Sequence, residues 1–224
     1  MYIRELPTGC ALISLDRYLS DLPLLHTWDN GATWSTGGFN REIFEAIHPF
    51  VTEGARILET GAGNSTIFFL LHKPSRLVSI APETDLFNRI RSYCDQNSID
   101  RSCAEVVVGR SEWILPRLAN QQFDFVLLDG CHNWPVVFVD FCYGMAMLRK
   151  GGLLMLDDLQ LHSVKELARM LNEQPEFSLI LQHTKAALFR KNADVRELPE
   201  WINQPYIVRK SDEYNSSGDP FFIS

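Results

Sequence analysis

Five short apolar runs, at 56–60, 76–81, 104–108, 123–128 and 152–156, are each followed by a segment that begins like a helix. No other feature constrains the fold as strongly. The helix starts carry their own chemistry: Asn40 precedes 41–47, Ser111 precedes 112–118, Pro135 falls in the first turn of 134–148, and Ser163-Val164-Lys165-Glu166 reads as a capping box. Near-continuous apolar strands separated by helices imply a parallel sheet covered on both faces, because only crossovers join parallel neighbours.

The rhythm changes after the helix expected over 163–171. Runs at 177–182 and 186–190 are separated by only His183-Thr184-Lys185, a link too short for a crossover, so they form an antiparallel hairpin. The expected fold is therefore α/β and doubly wound: a seven-stranded, mostly parallel sheet ending in an antiparallel hairpin. Residues 1–39 read as an irregular N-terminal cap, 40–190 as the domain proper, and 191–224, with Pro199, Pro205 and Pro220, as a C-terminal extension.

Composition narrows the function. The net charge of −7 and the absence of any Lys/Arg run argue against nucleic acid as a partner. Five scattered cysteines without a CxxC pair suggest neither a disulfide framework nor a zinc site, and no apolar stretch is long enough for a signal peptide or a membrane span. A cytoplasmic protein, acting on its own or as a homo-oligomer, is expected.

The first strand runs straight into Glu59-Thr60-Gly61-Ala62-Gly63-Asn64-Ser65 and then a helix over 67–71. Such a corner receives nucleotides: Gly61 permits the turn, Gly63 lets a ligand approach the backbone, and the free amides of the helix start favour polar or anionic groups. A dinucleotide site would want a third small residue near Thr66 for close packing below a pyrophosphate. Asn64-Ser65-Thr66 departs from that pattern.

The Glu59-x-Gly61-x-Gly63 segment resembles motif I of class I S-adenosylmethionine-dependent methyltransferases, and the terminal hairpin is similar to the one that distinguishes that Rossmann-like fold. The resemblance extends from about 39 to 190 and implies that Glu59, Gly61, Ala62, Gly63 and Ser65 hold the methionine half of the cofactor. In this family an acid at the tip of the second strand binds the ribose. Here Ala81 stands at that place, and Glu83 either substitutes for the acid or is a solvated helix-start residue. Arg110, Ser111 and Trp113 fall where the family contacts adenine; a cap and an apolar anchor are the alternative readings of Ser111 and Trp113.

Asp129 ends the fourth strand, His132 follows three residues later, and Asp157-Asp158 ends the fifth. Ligands of doubly wound sheets sit at such strand ends. The resemblance is closest to catechol-type O-methyltransferases, and implies that Asp129, Asp157 and Asp158 hold Mg²⁺ or a similar hard cation while His132 takes the place of a lysine base. Asp129 also counts as a cofactor contact. Asp140 is expected to brace the rim from behind, and the region of Trp28 and Trp34 to close over the acceptor. The resulting expectation is methyl transfer from S-adenosylmethionine to a hydroxyl of a small molecule. The alternatives are a non-catalytic partner protein of the same fold and an NAD-type oxidoreductase.

Overall fold

The computed structural model describes residues 13–28, 32–34 and 41–217 of the chain. Its centre is a seven-stranded sheet whose strands lie in the order 104–108, 76–81, 56–60, 123–128, 148–156, 187–191 and 177–182. The parallel strands are β3 (Arg56–Thr60), β4 (Arg76–Ala81), β5 (Ala104–Val108), β6 (Phe123–Leu128) and β7 (Leu148–Leu156). β8 (Phe177–Gln182) and β9 (Ala187–Lys191) form the expected antiparallel hairpin, with β9 inserted between β7 and β8. The chain moves outward from β3 through β4 to β5, then returns to place β6 on the other side of β3. That reversal opens the crevice in which doubly wound folds bind ligands.

Helices α3 (Asn64–Leu71), α4 (Thr84–Gln96), α5 (Ser111–Leu118), α6 (Val136–Met147) and α7 (His162–Glu173) follow their strands in turn. Alternate strand residues feed two cores, one on each face of the sheet. Ile57, Leu77, Phe125 and Met155 pack with Phe68, Phe69 and Phe87, whereas Leu58, Val78, Val126 and Leu154 pack with Phe141, Met145 and Leu167. Each such side chain, fully removed from water, contributes about 1.5–3 kcal/mol before entropy is counted. The end of α6 is satisfied from the hairpin: buried Lys191 Nζ donates to the carbonyls of Met145 (2.8 Å) and Leu148 (2.7 Å).

Three helix starts differ from the sequence reading. α7 begins at His162 behind Leu161 with no side-chain cap, and Ser163 Oγ donates instead to the His132 carbonyl at 2.5 Å. Ser111 is the first residue of α5 rather than its cap, and its hydroxyl goes to Asp140. Pro135 precedes α6 as the N-cap residue, after a cis peptide bond. In two of these cases a serine that a local motif would assign to its own helix is taken by a partner across the sheet's rim. Asn40 lies outside the described residues, as do the side chains of Trp28 and Trp34.

The segment read as an irregular cap contains α1 (Leu15–Ser20) and a small antiparallel pair, β1 (His26–Trp28) with β2 (Ala32–Trp34), ahead of α2 (Arg41–Ile47). Fully buried Tyr18 pins it down, its hydroxyl donating to the Asn64 carbonyl (2.7 Å) and side-chain oxygen (3.0 Å) at the start of α3. In the C-terminal extension, α8 (Pro205–Ser217) packs on α7, with Tyr206 donating to Glu166 and Arg209 to Glu173. Among the described residues no helix is long and apolar enough to cross a membrane.

Candidate active site

Five strands end level with one another because their four ladders continue one bond into the loops. The amides of Gly61, Gly109, Asp129 and Asp157 donate to the carbonyls of Ile80, Ala81, Thr60 and Leu128. This shared rim surrounds a cavity of about 580 Å³, within the range of small-molecule sites. Gly61, at φ +93°, is pressed so closely on the next loop that a Cβ there would lie 2.2 Å from the Asp129 carbonyl oxygen. Glycine is needed at this position for contact as well as conformation.

Of the expected cofactor residues, Gly61, Ala62, Gly63, Ser65, Glu83, Arg110, Ser111 and Asp129 line the cavity. Glu59 does not. Its fully buried carboxylate accepts from Ser65 Oγ (2.7 Å), Thr66 Oγ1 (2.6 Å) and Ser79 Oγ (2.5 Å). Thr66 Oγ1 in turn accepts from the Gly63 amide at 3.0 Å. Glu59 therefore shapes the glycine turn from beneath, and its expected contact with the cofactor is replaced by contacts with the loop. Burial pushes this carboxyl up to about 7, even though the three hydroxyls and their hydrogen bonds pull the other way.

On the ribose side the strand tip is Ala81, as the sequence indicates, and Glu83 faces the same cavity. Glu83 occupies the N-cap position of α4, yet its side chain makes no capping hydrogen bond. Arg110 pairs with Glu112 at 2.6 Å and lies over the Trp113 ring. Trp113 is 66% exposed and is not among the residues lining the cavity. Ser111 Oγ donates to Asp140 at 2.9 Å, so Asp140 braces the rim through a serine, and burial raises its carboxyl to about 6.

The chemical end of the cavity holds Asp129, His132 and Asp158, whose ligand atoms all lie within 4.8 Å of one another. His132 Nε2 is 3.2 Å from Asp158 and 3.6 Å from Asp129. Asp158 adopts a left-handed backbone at φ +61°, a conformation that aspartate tolerates better than most residues and that is held here at some cost. Burial alone would lower the imidazole; hydrogen bonds and charge from the two carboxylates override it and push His132 up to about 10. The two acids therefore favour the protonated form of the imidazole.

Asp157 belongs to the rim differently. It is fully buried and does not line the cavity, and neither carboxylate oxygen has a hydrogen-bond partner among the described residues. Desolvation first, and then the charges of Asp129 and Asp158, push it up to about 8. Asp129 is raised as well, chiefly by burial, whereas Asp158 is lowered, chiefly by its bond to His132.

Several lining residues are not singled out by the sequence, and one of them is a basic side chain. His26, from β1, projects over the glycine turn. Nothing in its local sequence marks it, because it is brought there by the docking of α1 on α3. Burial lowers its imidazole, opposed by the charges of Asp129 and Glu83.

Comparison with known proteins fits this geometry. Residues 58–159, from β3 across the whole rim, match a family described as a methyltransferase domain. A relative from Mycobacteroides abscessus that carries the name O-methyltransferase is 26% identical over 139 residues, a span covering 54% of this chain and 63% of that protein. Among solved structures, the O-methyltransferase TomG from Streptomyces achromogenes, in complex with S-adenosylmethionine, has a TM-score of 0.60 and 22% identity, covering 69% of this chain and 82% of that one. An O-methyltransferase from Bacillus cereus, in complex with S-adenosylhomocysteine, has a TM-score of 0.55 and 19% identity over 68% and 80% of the two chains. At these identities the likeness establishes the fold, which is the Rossmann-like methyltransferase fold expected from the sequence.

Proposed function

We propose that this chain is a class I methyltransferase that transfers the methyl group of S-adenosylmethionine to an oxygen of a small-molecule acceptor. The observation that carries the reading is that the 61–63 turn and the Asp129–His132–Asp158 cluster face one cavity. Bound S-adenosylmethionine would supply an electrophilic methyl, to be transferred from sulfur to the acceptor oxygen with S-adenosylhomocysteine as the other product and the oxygen's proton passing to the protein.

The residues divide that work. The backbone of Gly61, Ala62 and Gly63, with Ser65, receives the methionine half, and Asp129 accepts from its ammonium group. Glu83 takes the ribose hydroxyls in place of the acid that Ala81 lacks, while Arg110 and Ser111 border adenine. Glu59 acts only by positioning the turn. Because the imidazole of His132 already carries a proton, the imidazolium holds the developing oxyanion, and the acceptor's proton passes to a carboxylate, Asp129, whose proton affinity burial raises.

The same rim suits Mg²⁺ or a similar hard cation. Asp129 and Asp158 converge there with His132, and Asp157, buried with both oxygens unpartnered among the described residues, lies outside that group; a divalent ion would neutralise the converging acids. Asp129 and Asp158 would hold it in the cavity, with Asp157 buried behind them, and its charge would make an acceptor hydroxyl more acidic.

Calorimetry with S-adenosylhomocysteine and with NAD, followed by methyl-labelled S-adenosylmethionine against a panel of catechols and other hydroxylated small molecules, tests the reading. Binding of S-adenosylhomocysteine and label transfer to oxygen are expected. Tight NAD binding without S-adenosylhomocysteine binding would overturn it.

A further inference from the structure

We propose that His26 receives the carboxylate of the cofactor's methionine end, making the N-terminal segment a working wall of the cofactor site. The inference rests on the cofactor reading above. A methionine end is a zwitterion, so a site that offers Asp129 to the ammonium must also offer a donor to the carboxylate. Among the described residues lining the cavity, the basic side chains are His26, Arg110 and His132. His132 is committed to Asp129 and Asp158, and Arg110 is paired with Glu112 and stacked over Trp113 beyond the end of β5. His26 remains, and it stands at the glycine turn.

Its position there is close. A Cβ built on Gly63 would lie 2.6 Å from His26 Nε2 and 3.5 Å from Cε1. The ring thus faces the start of α3, whose first amides also favour an anion. Asp129 lines the same cavity, so groups for both ends of a zwitterion face one space.

The ring is also held in place. Leu25, immediately before it, is buried and its carbonyl accepts from Arg89 Nε. Asn64 Nδ2 donates to the Pro23 carbonyl at 3.1 Å, and Tyr18 fastens α1 to Asn64. The segment that delivers His26 is therefore tied to the same helix start that the ligand would meet, and the ring is positioned before the ligand arrives.

The test compares S-adenosylhomocysteine with 5′-methylthioadenosine, which keeps the adenosine and thioether but lacks the amino-acid end. Calorimetry on His26→Ala should show S-adenosylhomocysteine binding weakened about tenfold or more, with 5′-methylthioadenosine binding unchanged. His26→Gln, which keeps an N–H donor, should recover part of the loss. Equal weakening of both ligands, or of neither, overturns the proposal. Should His26→Ala fail to fold, the wild-type protein decides the matter by NMR. The His26 ring resonances, assigned by their absence in His26→Gln, should respond to S-adenosylhomocysteine and not to 5′-methylthioadenosine, and an equal response to both, or to neither, overturns it. A wild-type protein that binds neither ligand refutes the cofactor reading itself, a result distinct from any of these.

Discussion

Replacing Glu59 with glutamine separates its structural work from any direct role in binding. The buried carboxyl is held at about 7 against an ordinary 4.5. Because the folded state binds this proton more tightly than the unfolded chain, the stability it confers is complete below 4.5. That stability is lost as pH rises towards 7. At about 1.4 kcal/mol per pH unit, the interval corresponds to about 3 kcal/mol. An amide at this position cannot titrate, so the difference in unfolding free energy between wild type and Glu59→Gln should fall by about that amount across the same window and then level off. A constant offset of about 1 kcal/mol is also expected, because the amide nitrogen cannot accept from Ser65, Thr66 or Ser79 and one hydroxyl must turn. Urea unfolding at several pH values measures both quantities. Other groups that titrate in this range are common to the two proteins and cancel in the difference. A difference that stays flat between the two limits would refute the assignment of Glu59 as a buried, proton-binding brace.

Gly61→Ala should destabilise the fold by more than about 2 kcal/mol, since its Cβ would meet the Asp129 carbonyl at 2.2 Å in a left-handed conformation; a thermal melt matching wild type would contradict this. Asp158→Asn should bring His132 down from about 10 towards its ordinary 6.5, read from the imidazole resonances in an NMR titration, and an unmoved midpoint would show that Asp158 does not hold the ring. The ion pairing of His132 stabilises the fold fully below 6.5, and that contribution is lost as pH rises through about 10. Mg²⁺ or Mn²⁺ at about a hundredfold above its dissociation constant should stabilise the wild type by about 2.7 kcal/mol, an effect reversed by chelator and diminished in Asp158→Asn. No shift in melting temperature at millimolar metal would remove the cation from the site.

The sequence by itself determined the layered fold and the rim. Strand periodicity, helix starts and the short 183–185 link are local properties, and they were enough to order the elements, to make the last pair antiparallel and to put Gly61, Asp129 and Asp158 at strand ends. Only the tertiary structure decided what the polar side chains do there. Glu59 meets Ser79 from the neighbouring strand and so turns away from the cavity. Ser111 and Ser163 leave their own helix starts for Asp140 and the His132 carbonyl. His132 is caught between two acids that belong to different loops, and His26 arrives from a segment with no regular pattern. The physical reason is the same in each case. A backbone's hydrogen bonds are largely satisfied by neighbours a few residues away or in the next strand, whereas a buried polar side chain takes the best partner available in space, and that partner is fixed only when the sheet order and the packing of its loops are complete.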